Sequence, residues 1–245
     1  MECIVLDGYR CRIFFENINR RAIPKEYHYS LRNQILLKIN ETDPQLSKEI
    51  HDRWDAFLVY SGIMGKMWNT PMGLQFRNAE VDIASPNKEL ISYIKRGFLM
   101  SPIFSLGQCK LRVSSVQNEY IELNDGKSTL NLETLGEVVI KKKDRTSETL
   151  HVGEDDDIES YLKDTIFRQY YAFSGIQSEF VLNVTYSKQK KKAIIKDDGR
   201  INSFKALRLK FTITAEKGLH EFLLTQGIGH HRKMGFGMLG LQRVQ

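Results

Sequence analysis

The sequence lacks any uninterrupted apolar run approaching the ~20 residues that a membrane-spanning helix needs, which excludes an integral membrane protein of that kind. Cysteine is scarce. Cys3, Cys11 and Cys109 are odd in number, far apart and without a C-x-x-C pair, so neither a disulfide framework nor a zinc site is expected. The opening residues MECIVLD lack the basic region and long apolar stretch of a secretory leader. The expected compartment is therefore the reducing cytoplasm. Low-complexity segments and long linkers are also missing, so the parts of the chain are expected to pack together.

What is present is ample for folding. The 245 residues are 41% hydrophobic and 10% aromatic, enough for one large domain or two of about 120 residues each. A formal net charge of +6 is a weak pointer to an acidic partner. Its distribution says more. Residues 188–210 hold nine Lys and Arg (Lys188, Lys190, Lys191, Lys192, Lys196, Arg200, Lys205, Arg208, Lys210) against Asp197 and Asp198. That excess reads as a basic binding surface or, equally, as a solvated hairpin whose lysines discourage edge pairing.

Periodicity divides the chain into matching halves. Residues 3–15 alternate and read as a strand. Leu31, Ile35 and Ile39 recur every four residues, which places them on one helix face. Asp43-Pro44 is a helix start, with aspartate as N-cap and proline at the first turn. That helix turns Leu46 and Ile50 inward and ends near His51, Asp52 and Arg53. Residues 57–60 and 74–83 read as strands, Asn87 opens a helix stopped at Gly97, and 110–116 is a strand. The second half offers strands at 120–123 and 137–142 around a polar loop, and a helix at 158–173 behind an acidic run. Strands at 179–186, 192–196 and 204–214 follow, with Asp198-Gly199 as a hairpin turn. A short helix at 218–225 and a strand at 237–244 complete the pattern. The expected fold is α+β: an N-terminal unit over 1–119 and a C-terminal unit over 120–245, each a sheet backed by helices.

Between the last helix and last strand lies Gly227-Ile-Gly229-His-His-Arg-Lys-Met-Gly235-Phe-Gly237. Glycines allow close backbone approach and positive φ, and His230, His231, Arg232 and Lys233 set donors between them. A dinucleotide-binding fingerprint needs further βα units, yet only eight residues follow Gly237. A Walker lysine is absent as well. The stretch is a phosphate cradle or a tight structural turn with a basic tip.

This G-h-G-x-x-R/K-x-x-G-F-G loop resembles the glycine-rich signature of the repeat-associated RNA-binding superfamily of CRISPR systems. Within that superfamily the chain is similar to the endoribonuclease that processes precursor CRISPR RNA. Residues 23–31 (IPKEYHYSL), then Ile35, then 43–46 (DPQL) ending in Ile50-His51-Asp52, and 97–100 (GFLM) carry the likeness through the N-terminal half. The resemblance implies two tandem ferredoxin-like domains of the RRM-like kind. It also implies metal-independent cleavage of repeat RNA to a 2′,3′-cyclic phosphate and a 5′-hydroxyl, with no cofactor and no metal. The implied partner is precursor CRISPR RNA. A non-cleaving guide-RNA-binding subunit of an effector complex is the alternative, and whether the chain forms a homodimer is left open.

Such cleavage asks for a base at the 2′-OH, an acid at the departing 5′-oxygen and a cation beside the phosphorane. His51 occupies the position of the family's catalytic histidine. A helix C-terminus favours imidazolium, which suits an acid. The family often carries a tyrosine in the first helix and a lysine soon after the histidine. Here Leu36 stands at the first position, and no lysine follows His51 before Lys66. Tyr27, His28 and Tyr29 are candidates for the missing hydroxyl or a second imidazole, and Arg53 for the cation. Lys190, Lys191, Lys192 and Lys196, with Gly227, Gly229, His230, His231, Arg232, Lys233, Gly235 and Gly237, are the expected RNA contacts. His220 reads as a structural histidine, and His151 as part of an exposed loop.

Overall fold

The computed structural model describes residues 3–52, 58–142, 151–195 and 201–242. The chain runs β1 (Cys3–Val5), β2 (Arg10–Asn17), α1 (His28–Asn40), α2 (Pro44–Asp52), β3 (Val59–Tyr60), β4 (Met67–Thr70), β5 (Gly73–Phe76) and β6 (Asn78–Ala84). It continues through α3 (Lys88–Met100), β7 (Ile103–Leu106), β8 (Cys109–Asn118), β9 (Glu122–Asn124), β10 (Lys127–Thr134) and α4 (Ile158–Ser174). The last elements are β11 (Val181–Ile195), β12 (Ile201–Glu216), α5 (Lys217–Gln226) and β13 (Leu239–Leu241).

Among the described residues two large antiparallel sheets form, beside the two-stranded pairs β1-β9 and β4-β5. The first has the order β3-β6-β2-β8-β7 and the second β11-β12-β10-β13. Setting aside β7 at its edge, each unit places its own strands fourth, first, third, second, with helix after the first strand (α1 and α2 in the first unit, α4 in the second) and again after the third (α3 and α5). That is the ferredoxin-like β-α-β-β-α-β arrangement, present twice. No helix among the described residues is long and apolar enough to cross a membrane.

Each sheet buries one face under its helices, because alternate residues of a strand point to opposite sides. Cys11, Ile13 and Phe15 of β2 meet Leu31, Ile35 and Ile39 of α1 and Leu90, Ile94 and Phe98 of α3. In the second unit Leu207, Leu209 and Phe211 of β12 meet Leu162 and Ile166 of α4 and Leu223 of α5. Asp43 caps α2 by accepting from the Leu46 amide at 2.9 Å, and Asp157 caps α4 through the Ser160 amide at 3.1 Å.

Several sequence expectations change. The strand expected over 3–15 is two: β1 pairs with β9, and Leu6 packs into the second core. The strand expected over 74–83 is split between the β4–β5 hairpin and β6. Gly97 does not stop α3 but lies inside it. A Cβ there would stand 2.1 Å from the Lys38 carbonyl oxygen, so the glycine lets α1 and α3 touch backbone to backbone. The polar loop after 123 contains β10, a central strand, whereas 137–142 holds only isolated bridges. The strands expected over 179–186 and 192–196 are one continuous strand, β11 (Val181–Ile195), while Lys196 and the turn expected at Asp198-Gly199 lie outside the described residues.

The units are joined by a buried arginine. Arg10 of β2 is fully buried. Its Nε donates to Glu119 at 2.8 Å, and its Nη1 donates to the carbonyls of Leu224 at 2.9 Å and Leu239 at 2.7 Å. A planar guanidinium can reach all three at once, which a lysine could not.

Candidate functional site

The site lies where the start of α1, strand β3 and the glycine-rich segment meet the β11–β12 ribbon. Residue 27 begins this meeting. Tyr27 is buried, and its hydroxyl accepts from the Ile63 amide at 2.8 Å. Burial pushes that phenol well above the ordinary tyrosine range, so it acts as a fixed neutral group. Tyr60 of β3 donates its hydroxyl to the His28 carbonyl at 3.1 Å. Tyr29 packs partly buried against Val139, Phe204 and Phe236.

His28 is also buried. Its ring is stacked between Tyr27 at 4.5 Å and Phe236 at 4.7 Å. Among the described residues neither ring nitrogen meets hydrogen-bond geometry, although the Met234 backbone lies close enough to oppose the shift slightly. Burial, reinforced by Lys192, pushes the imidazole down to about 4. A folded value below the unfolded ~6.5 means that the unfolded chain takes up the proton first. Stability is therefore full above pH ~6.5 and is lost as pH falls towards 4. The loss between pH 7 and 5 from this one group is expected to be about 2 kcal/mol. Urea unfolding of the wild type and His28→Phe at both pH values checks this, the variant losing less by that amount.

Opposite His28 stands a carboxylate that the sequence did not single out. Glu137 is buried to 4% exposure and faces Lys192 at 3.1 Å, Lys190 at 3.3 Å and Arg208 at 3.8 Å. Burial alone would raise its carboxyl, but Lys192, Lys190 and Arg208 outweigh it and hold the group below its ordinary value. Its own backbone carbonyl accepts from the Gly237 amide at 2.8 Å. In the sequence Glu137 lies far from the basic ribbon, so without topology it has no partner.

Strand register sorts the basic ribbon into two faces. Lys188 pairs with Arg208, Lys190 with Ala206 and Lys192 with Phe204, so these share one side. Lys191 pairs with Lys205 on the other. The first side is the sheet face away from α4 and α5, and it stays positive because three cations share Glu137. Lys196 lies outside the described residues, as does Arg53.

The glycine-rich segment is a buckle. Gly227, Gly229, Gly235 and Gly237 all have φ between 64° and 80°. Their amides already have partners: Leu223, the Gln169 side chain, Arg232 and Glu137 respectively. Ile228 and His230 likewise donate to Gly237 and Val139. What the segment presents outward is side chains. His231 is exposed yet its ring stacks on Phe204 at 5.1 Å. Desolvation of the ring where it packs on Phe204, and then Lys141, push it down to about 4, and burial and Lys141, with His231 added, push half-buried His230 down to about 4. Both are neutral hydrogen-bonding groups near pH 7. Arg232 and Lys233 lie in the short 3-10 turn between them and Gly235.

His51 is in the last turn of α2, whose Ile50 is buried in the first core. Its backbone position at a helix C-terminus agrees with the sequence reading, and its side chain lies outside the described ones. Leu36 is a buried core residue. His220 is fully buried with Nδ1 3.4 Å from the Ser128 hydroxyl. His151 is half-buried and bridged to Lys141, and so is not part of an exposed loop.

Residues 120–241 match the family model described as CRISPR associated protein Cas6, C-terminal. Among solved structures, the fold is similar to one described as a Cas6-related gene product from Pyrococcus furiosus, with 22% identity, 97% of this chain and 99% of that one covered, and a TM-score of 0.79. It is also similar to an RAMP protein binding different RNA substrates, with 20% identity, coverage of 96% and 99%, and a TM-score of 0.79. A third, described as CRISPR associated protein Cas6, has 21% identity, coverage of 99% and 100%, and a TM-score of 0.75. Among curated proteins none matches the sequence.

Proposed function

Given that the chain belongs to the CRISPR-associated Cas6 family through residues 120–241, we propose that it cleaves CRISPR repeat RNA within precursor transcripts. The attacking group is the 2′-OH at the scissile nucleotide, and the products are 2′,3′-cyclic phosphate and 5′-hydroxyl ends. The observation that carries the reading is that the matched segment holds both the glycine-rich buckle and the basic ribbon. The open face of the ribbon, with Lys188, Lys190, Lys192 and Arg208, attracts the phosphate backbone, and Lys191 extends the charge to the opposite side. His230, His231, Arg232 and Lys233 at the buckle supply neutral donors and cations beside it.

His51 is assigned the proton transfer to the departing oxygen. Arg53 is assigned the charge on the phosphorane. Tyr27, its hydroxyl held by the Ile63 amide, and His28, buried between two aromatic rings, act by shaping the junction; Tyr29, partly buried, is the one of the three nearest to a contact role. No step in this scheme needs a metal.

Binding without cleavage is the second reading, in which the chain holds guide RNA within an effector complex. It is favoured by Leu36, which is buried where the resemblance would place a helical tyrosine. A 2′-deoxy nucleotide at the scissile position separates the readings. Cleavage is expected to disappear with that substrate while binding persists, and a chelator is expected to leave the rate on all-ribose RNA unchanged. Cleavage of the deoxy substrate would overturn attack by the 2′-OH, and absence of cleavage on both would favour binding alone.

A further inference from the structure

At the far end of the first sheet, an exposed tryptophan faces arginines that the proposed chemistry does not use. Trp68 of β4 is 47% exposed and lines a cleft of about 500 Å3 together with Arg20, Arg77 and Arg112. A volume in the range of ~300–1,000 Å3 is typical of small-ligand pockets. Glu16 is the one acidic side chain of the lining, held by Arg112 at 2.8 Å. Among the described residues Arg20 and Arg77 make no ion pair, so two positive charges face the cleft uncompensated.

The cleft is built, and its parts are fixed to one another. The Gln75 side chain accepts from the Trp68 indole at 3.3 Å and donates to the Arg20 carbonyl at 2.8 Å. That bond ties the aromatic ring to a residue in the left-handed region, with φ of 54°, a conformation that non-glycine residues rarely hold unless the surroundings impose it.

We propose that this cleft is a subsite for an unpaired segment of RNA, with Trp68 stacking on a base and Arg20 and Arg77 contacting adjacent phosphates. The proposal rests on the RNA reading above and extends it to a second place on the molecule. Aromatic rings beside cationic side chains hold single strands without sequence preference, because every base offers a π face and every linkage a charge. An acidic peptide would satisfy the arginines but gives the exposed indole no role.

Position supports a connected path. The cleft takes in residues 16–18 at one end of β2, and Arg10 joins the second unit at the other end, about 20 Å away at ~3.3 Å per residue. Between them the open sheet face carries a shallower depression lined by Phe14, Ser115 and Gln117. A strand of RNA leaving the junction can follow that face to Trp68.

The test measures binding of the full chain to repeat RNA and to a single-stranded oligouridylate, using wild type, Trp68→Ala, Trp68→Phe and the pair Arg20→Gln with Arg77→Gln. Trp68→Ala is expected to weaken both RNAs about 10-fold, with Trp68→Phe retaining most of the affinity. The paired arginine variant is expected to flatten the dependence of log Kd on log salt by about 1.4. Undiminished RNA binding by Trp68→Ala overturns the subsite and leaves the main reading intact. Failure of the wild type to bind any RNA overturns both. Tighter binding of polyglutamate than of oligouridylate, lost in Trp68→Ala, also overturns the subsite by assigning the cleft to an acidic peptide.

Discussion

Replacing His51 with alanine is expected to lower the single-turnover rate of repeat-RNA cleavage by about 10²- to 10⁴-fold, the usual contribution of one general acid or base. Binding should change little, because the phosphate-attracting charge lies on the second unit's ribbon and not on α2. The fold should tolerate the change. Alpha helix α2 is capped by Asp43 and anchored by Ile50, and alanine is a good helix former in a last turn. The measurement is a cleavage time course with identification of 2′,3′-cyclic phosphate ends, alongside a binding isotherm. Near-normal cleavage by the variant removes His51 from the reaction and transfers the assignment to another group. Lost binding would instead mean that α2 forms part of the RNA surface.

Gly237→Ala is expected to be the most damaging single substitution in the glycine-rich buckle. The residue has φ of 80°, and a Cβ would stand 1.8 Å from the Ile228 carbonyl oxygen. Gly237 also accepts from Ile228 at 2.9 Å and donates to Glu137 at 2.8 Å. A side chain there must separate the segment from the strand-like stretch that carries Glu137, so the cation cluster is disturbed as well. A loss of about 4 kcal/mol or more is expected, in the range reserved for severe backbone and packing conflicts. Gly126 provides the comparison. It has nearly the same φ, 79°, but nothing within 4 Å of an added Cβ. Gly126→Ala should therefore cost about 1–2 kcal/mol, the local penalty of the left-handed region alone. Thermal unfolding of the two variants separates close approach from conformational strain. Equal losses would mean that the buckle has room to relax, and its glycines would then be free to serve a phosphate.

Much of the fold was legible because local signals and tertiary demands agreed. The four-residue recurrence of Leu31, Ile35 and Ile39 became the buried face of α1. Asp43-Pro44 opened α2 as capping chemistry requires, and the acidic run ended in the Asp157 cap of α4. The misses share a cause. Strand β10 is polar along most of its length, yet it is central, because β12 and β13 hydrogen-bond it on both sides. Backbone pairing of that kind leaves little trace in side-chain alternation when one face is wet. Gly97 reads locally as a helix stop, but a passing helix keeps it inside α3.

The sequence by itself determined the two-unit α+β plan, the basic ribbon, the glycine-rich segment and the helix-end position of His51. These follow from periodicity, capping and charge, all properties of neighbouring residues. Only the tertiary structure decided which groups meet. It set Glu137 against three cations from another segment, placed His28 between two aromatic rings, and brought Trp68 beside Arg20 and Arg77. It also decided that the glycines close a backbone contact. A glycine records only that a side chain is absent; what occupies that space is fixed by strands far away in the chain.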